Sequence, residues 1–286
     1  MFSGGFALQD LYRKTRGDGL KISMESACIG SVAGLIVLLI INGFFFEFTP
    51  FTLVMAALSA LNGMAFTFVS FKALGVINLS LFSLFAMLGG MLLPFFQGIF
   101  FFGEGFTVAK AVCLVLVCAA LFATVKKGEG SRGAIYYIGV FFFNGMSGVL
   151  SKIFTAGEFP KASAAGYSIW ISVMTALLSG AVWAFLALRT GNAGAKSEVL
   201  HTKKKGFVKA IGIGSAQGAI NRVANFLLVI ALLHVDNSVQ YPMGAGGTMI
   251  VSTLLDFFGE KKSGKREIIS VSLAFLGMLA LFLIPV

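Results

Sequence analysis

An all-α, polytopic membrane architecture is predicted by three properties of this sequence. Hydrophobic residues fill 57% of its 286 positions and charged residues only 12%. Its mean hydropathy is +0.92, whereas a soluble domain of this length needs far more charge on its surface. Charge-free apolar runs of about twenty residues, the length that spans a bilayer core, recur from one end of the chain to the other.

Taken in order, the chain opens with a short stub, MFSGGFALQDLYRKTR. The apolar stretch from Phe2 to Leu8 is too short to span and runs into Asp10, Arg13, Lys14 and Arg16. No basic segment precedes it and no long apolar core follows, so it does not read as a signal peptide. Nine spanning helices are then predicted at about 25–46, 49–72, 77–101, 106–125, 134–153, 162–188, 207–234, 238–258 and 266–285. The three cysteines, Cys28, Cys113 and Cys118, fall inside apolar runs without a CxxC pair and read as small buried hydrophobes.

A repeat organises these helices. The segment FAMLGGMLLPFFQGIFFFGE, Phe85 to Glu104, returns as YPMGAGGTMIVSTLLDFFGE, Tyr241 to Glu260, 156 positions later. The copies share Met87/Met243, Gly90/Gly246, Phe101/Phe257, Phe102/Phe258, Gly103/Gly259 and Glu104/Glu260. With a two-residue gap the alignment extends upstream through Ala73-Leu74 and Ala231-Leu232, and carries Ser59, Gly63 and Thr67 onto Gln217, Asn221 and Asn225. Both sets are spaced i, i+4, i+8, so the alignment preserves the small or polar stripe of a helix as well as its apolar residues.

The expected organisation is a first repeat at 1–125 that lacks most of its first helix, a linker at 126–133 and a second repeat at 134–286. The stub lies where the missing helix would end. Units of five crossings in tandem point in opposite directions, the inverted-repeat plan of many secondary transporters. Of the 22 Lys and Arg, 18 fall on one predicted side, three (Lys110, Lys152 and Lys161) on the other, and Arg222 lies inside a helix. The positive-inside rule then makes the basic loops 126–133, 189–206 and 260–266 cytoplasmic, places the C-terminus outside and predicts a multi-pass protein of the cell membrane. The net charge of +10 resides in these loops, so membrane orientation explains it and nucleic acid is not an expected partner.

The FGE ends at 102–104 and 258–260, each closing a helix before a short turn, together with Pro242 near the start of its helix, carry a family likeness. On these residues the chain resembles the drug/metabolite transporter superfamily, in its ten-helix EamA-type branch. Ala86 stands where that pattern has a second proline. The resemblance implies two inverted five-helix repeats and transport of a small solute by alternating access.

Candidate site residues concentrate on the helix 207–234. Arg222 is 13 residues from Lys209 and 14 from Asp236, roughly 20 Å from either end at 1.5 Å per residue, too deep to snorkel to water. A charge there costs at least about 2.5–3.5 kcal/mol on insertion scales and needs a partner. Gln217, Asn221, Arg222 and Asn225 share one face of the helical wheel. One reading has Arg222 gripping a solute carboxylate or phosphate, helped by Asn221 and Asn225. The other is an internal ion pair with Asp10 or Asp256.

Asn144, with Ser147 and Ser151 along its helix, the stripe Ser59, Gly63 and Thr67, and the pair Gln240-Tyr241 complete the candidates. Tyr241 fits a solute-stacking role and an interfacial-anchor role equally. Glu104 and Glu260, repeated acids at helix ends, read as structural.

Enzymatic chemistry is not expected. His201 and His234 have no carboxylate or cysteine at metal-ligand spacing, no phosphate-cradling loop is present, and no cofactor or metal is called for. The expected partners are a small-molecule solute and the lipid bilayer; a homodimer is compatible with the sequence but not readable from it. The competing expectation is a non-transporting membrane protein, a truncated transporter remnant or a scaffold.

Overall fold

The computed structural model describes residues 2–76, 79–123, 134–190, 199–258 and 265–284. Among them the chain forms ten α-helices and no strand: α1 (Phe2–Arg16), α2 (Leu20–Ile41), α3 (Pro50–Val76), α4 (Leu79–Phe102), α5 (Val108–Ala123), α6 (Ala134–Ala156), α7 (Ala164–Thr190), α8 (Val199–Ala231), α9 (Asn237–Phe258) and α10 (Lys265–Leu283). Each predicted span overlaps one of these, and the stub is itself helical. Five stretches, Leu20–Ile41, Pro50–Val76, Phe85–Phe102, Ile135–Ala156 and Ala164–Arg189, are long and apolar enough to cross a membrane. The protein is an all-helical membrane protein on that ground. The predicted cytoplasmic loop 126–133, residues 191–198 of the loop 189–206, residues 260–264 of the loop 260–266, and the side chains of Asp256 and Glu260 lie outside the described residues.

Helix ends follow local chemistry. The span predicted at 25–46 is observed at Leu20–Ile41, because Gly43 (φ 60°) and Phe44 (φ 59°) take left-handed backbone and stop it. Gly adopts that conformation without a Cβ penalty, while Phe44 does so within a turn closed by its own N–H donating to Leu39 O at 2.8 Å. Helix α3 starts at Pro50, whose missing N–H costs nothing at the first helical position. The hydroxyl of Thr49 accepts from Thr52 N at 3.2 Å as its cap. Thr107 and Ser163 cap α5 and α7 in the same way, through Lys110 N at 3.3 Å and Gly166 N at 3.1 Å.

The chain divides into two compact units, neither of which is a half of the sequence. Unit 1 comprises residues 1–76 and 154–230, and unit 2 comprises 77–153 and 231–286. Each therefore interleaves segments of the two predicted repeats. Helices at matching places in the two predicted repeats pack on each other inside the units: α2 on α7 in unit 1, α4 on α9 and α5 on α10 in unit 2.

In unit 1, α7 also packs against α3, and α1 against α2 and α3. Tyr12, fully buried, meets Phe71 edge-on at 6.1 Å, and its hydroxyl donates to Glu25 Oε1 at 2.8 Å. Arg16 closes the corner with two bonds to Glu25, at 3.0 and 2.9 Å. These contacts make α1 an integral helix of its unit. In unit 2, a Cβ at Gly89 of α4 would collide with Phe141 O of α6, so the two backbones touch only because the residue is glycine.

Candidate functional site

The residues singled out from sequence separate into two groups. Gln217, Asn221, Arg222 and Asn225 belong to unit 1, and Asn144 and Tyr241 to unit 2.

In unit 1 the position of Arg222 is set by small residues where α2 approaches α8. Gly30 and Gly34 on α2 face Gly214 and Gly218 on α8. A Cβ on Gly218 would run into the backbone of Gly30, and a Cβ on Gly34 would overlap the first carbons of the Arg222 side chain. This contact lets the guanidinium lie between α2 and α7. Its Nη2 donates to Ser31 Oγ at 2.9 Å and to Thr175 Oγ1 at 3.0 Å. Both partners are neutral hydroxyls. Among the described residues no carboxylate pairs with Arg222, and Asp10, one of the two acids the sequence offered, is engaged by Arg13 at 2.9 Å and Lys14 at 2.6 Å on its own helix.

The neighbours of Arg222 behave unequally. Asn221 turns its carboxamide toward Gly5 of α1, which has no side chain to obstruct it. Asn225 is exposed and its Nδ2 donates to Asn221 O at 2.8 Å, back onto its own helix. Gln217 is half-buried. Of this face only Arg222 reaches polar groups on two other helices. The residues that sequence reasoning missed are Ser31 and Thr175. A signal existed for the second: Ser168, Ser172, Thr175 and Ser179 form a buried stripe along α7, each hydroxyl donating to the carbonyl four residues earlier. Thr175 Oγ1 gives its proton to Ile171 O at 2.7 Å and can therefore only accept from Arg222.

In unit 2 the polar residues mostly act as ties. Asn144 Nδ2 donates to Ala86 O at 2.6 Å, joining α6 to α4. Ser147 and Ser151 donate to carbonyls of their own helix, at 3.3 and 2.9 Å. Tyr241 is buried with its hydroxyl beneath Gly148, where a Cβ would sit 2.7 Å from Oη. The other candidate stripe, in unit 1, is similarly occupied: Ser59 bonds Tyr167 Oη at 2.7 Å and Thr67 donates to Gly63 O at 2.8 Å.

Glu104, just past the end of α4, holds the start of α9. Its Oε1 accepts from Asn237 N and Lys152 Nζ, each at 3.0 Å, and its Oε2 from Ser238 N at 2.9 Å and Ser238 Oγ at 2.6 Å. Its side chain is 5% exposed and that of Lys152 12%. A carboxylate on the first N–H groups of a helix satisfies donors that the helix cannot satisfy itself and complements its dipole. Burial alone raises the Glu104 pKa, and the bonds from Ser238, Asn237 and Lys152 outweigh it and hold the carboxyl below its ordinary value of 4.5. Beside it Lys110 Nζ meets Asp236 Oδ2 at 3.0 Å.

No protein-family model and no curated protein sequence matches this chain. Solved structures do match. One crystal structure, described only as that of a protein, superposes with a TM-score of 0.63 at 15% identity, covering 97% of this chain and 93% of that one. At that identity the likeness establishes a shared helical fold over nearly the whole length of both chains and nothing about activity.

Proposed function

We propose that this protein is a secondary transporter, an exporter of a small metabolite that works by alternating access, and that Arg222 binds a carboxylate or phosphate group of the solute. The observation that carries this reading is a cation on α8, nine residues before that helix ends at Ala231, whose bonded partners are two neutral hydroxyls. Hydroxyls orient a guanidinium but leave its charge uncompensated, and an uncompensated charge in a low-dielectric surrounding is expensive. Nη2 is occupied by Ser31 and Thr175, while Nε and Nη1 retain donors for the planar two-point recognition of an anion that Arg makes best. A neutral or cationic solute would leave the charge as it stands, so the cargo is anionic or zwitterionic. The all-helical fold, the interleaved units and the family likeness of the FGE ends support the transporter class.

Vesicles bearing the wild-type chain and its Arg222→Ala variant, challenged with radiolabelled amino acids, carboxylic acids and phosphate monoesters, test this. At least one compound should move in the wild type and lose most of that movement in the variant, with membrane insertion equal. Equal movement in both, or loss only through failed insertion, contradicts it.

A further inference from the structure

We infer that unit 2 holds one small monovalent cation on the side-chain amide oxygens of Gln97 and Asn237. Gln97 is 8% exposed and Asn237 fully buried. The nitrogen end of each amide is fixed: Gln97 Nε2 donates to Val149 O at 3.2 Å and Asn237 Nδ2 to Pro94 O at 3.3 Å. Turning either amide over would set oxygen against oxygen, so the carbonyl ends face away from these partners. Neither Gln97 Oε1 nor Asn237 Oδ1 receives a donor from the described residues. Buried acceptors without donors are rare in folded proteins and call for an occupant.

Both residues belong to one region. Pro94 and Gln97 are one turn apart on the same face of α4, and Asn237 reaches across to that turn. Pro242 has no N–H, so the carbonyl of Ser238, next to Asn237, loses its helical donor as well. The two atoms left without a donor are both acceptors, which excludes an anion as their occupant. The charged groups around the start of α9 cancel in pairs, Glu104 with Lys152 and Asp236 with Lys110, so neutral oxygens face the occupant and balance one positive charge better than two. Carbonyl oxygens with no thiol or imidazole among them suit a hard ion such as sodium, or an ammonium group of similar size. This inference is independent of the anion reading of Arg222, which concerns unit 1.

The test is thermal unfolding of the purified full chain in sodium chloride against choline chloride at equal ionic strength. Sodium should raise the midpoint saturably, as a ligand of the folded state must. Gln97→Leu, which removes an oxygen, should abolish that rise. Gln97→Glu, which keeps an oxygen and adds a charge, should lower the half-saturating sodium concentration by about tenfold. Methylammonium chloride that produces the rise where sodium does not would assign the same site to an ammonium group. If Gln97→Leu does not fold, the Gln97→Glu titration decides alone. A midpoint identical in every salt, or a rise unmoved by both substitutions, overturns the inference and leaves the oxygens holding water only.

Discussion

Arg222 and Glu104 are both charges removed from water, and they are treated in opposite ways. Around Glu104 every oxygen is used: two backbone N–H groups, a hydroxyl and a lysine converge on one carboxylate from α6 and the start of α9. Around Arg222 two hydroxyls orient the side chain and no described acid balances it. A fully satisfied charge holds helices together and has nothing left to offer a solute. A charge that is oriented but not neutralised can still take an anion, and on the proposed reading the two sites do different work.

Removing each charge should separate these roles. Arg222→Ala should eliminate the response to an anionic solute, at least tenfold in half-saturating concentration, while the unfolding midpoint without solute holds or rises, because a half-buried charge without an acid partner among the described residues has gone. Glu104→Ala should do the reverse. It strands Lys152 and two α9 N–H groups, and breaking a buried pair in this way costs about 3–5 kcal/mol, visible as a large drop in midpoint whether or not solute is present.

The pH dependence sharpens the contrast. Glu104 has a folded-state pKa below its ordinary 4.5, so its contribution to stability is complete above that value and is lost as pH falls through the lower folded pKa. The wild-type midpoint should decline on acidification below about pH 4.5, and Glu104→Gln should flatten that part of the profile.

Smaller effects are expected where geometry serves the site. Gly218→Ala drives a methyl group into the backbone of Gly30 and should cost about 1–3 kcal/mol by overpacking, shifting Arg222 and weakening solute binding together. Ser31→Ala removes one of the two orienting bonds and should weaken binding by several-fold at nearly unchanged stability, since a hydrogen bond to a charged group contributes about 1.5–3 kcal/mol and its loss here is shared with Thr175.

Much of the fold was legible because hydrophobic runs of membrane length are a direct imprint of the solvent. Helix ends were less so: the stop after Ile41 depends on the backbone of Gly43 and Phe44, inside a run whose phenylalanines keep it apolar through Phe46. Arg222 stood out because a cation deep in an apolar helix is anomalous at any position. Its partners did not, since Ser31 and Thr175 are chemically ordinary and lie 191 and 47 residues away in sequence. The face around it is not uniform. Asn225 shares the wheel with Arg222 yet spends its amide on its own helix, a choice that periodicity does not record. Asn144 resembles a ligand-binding residue in sequence, and only the proximity of Ala86 O turns it into a tie. Gln97 and Asn237 gave no signal, because what marks them is the absence of donors at their oxygens, a property of three helices at once.

The central claim is that Arg222 awaits an anion. Its most direct test is thermal unfolding of the purified wild-type chain and Arg222→Ala against a panel of short carboxylates, amino acids and phosphate monoesters in constant chloride. The account predicts that at least one compound raises the wild-type midpoint saturably and leaves the variant unmoved. The same rise in both proteins would show that the anion is held elsewhere and would contradict it.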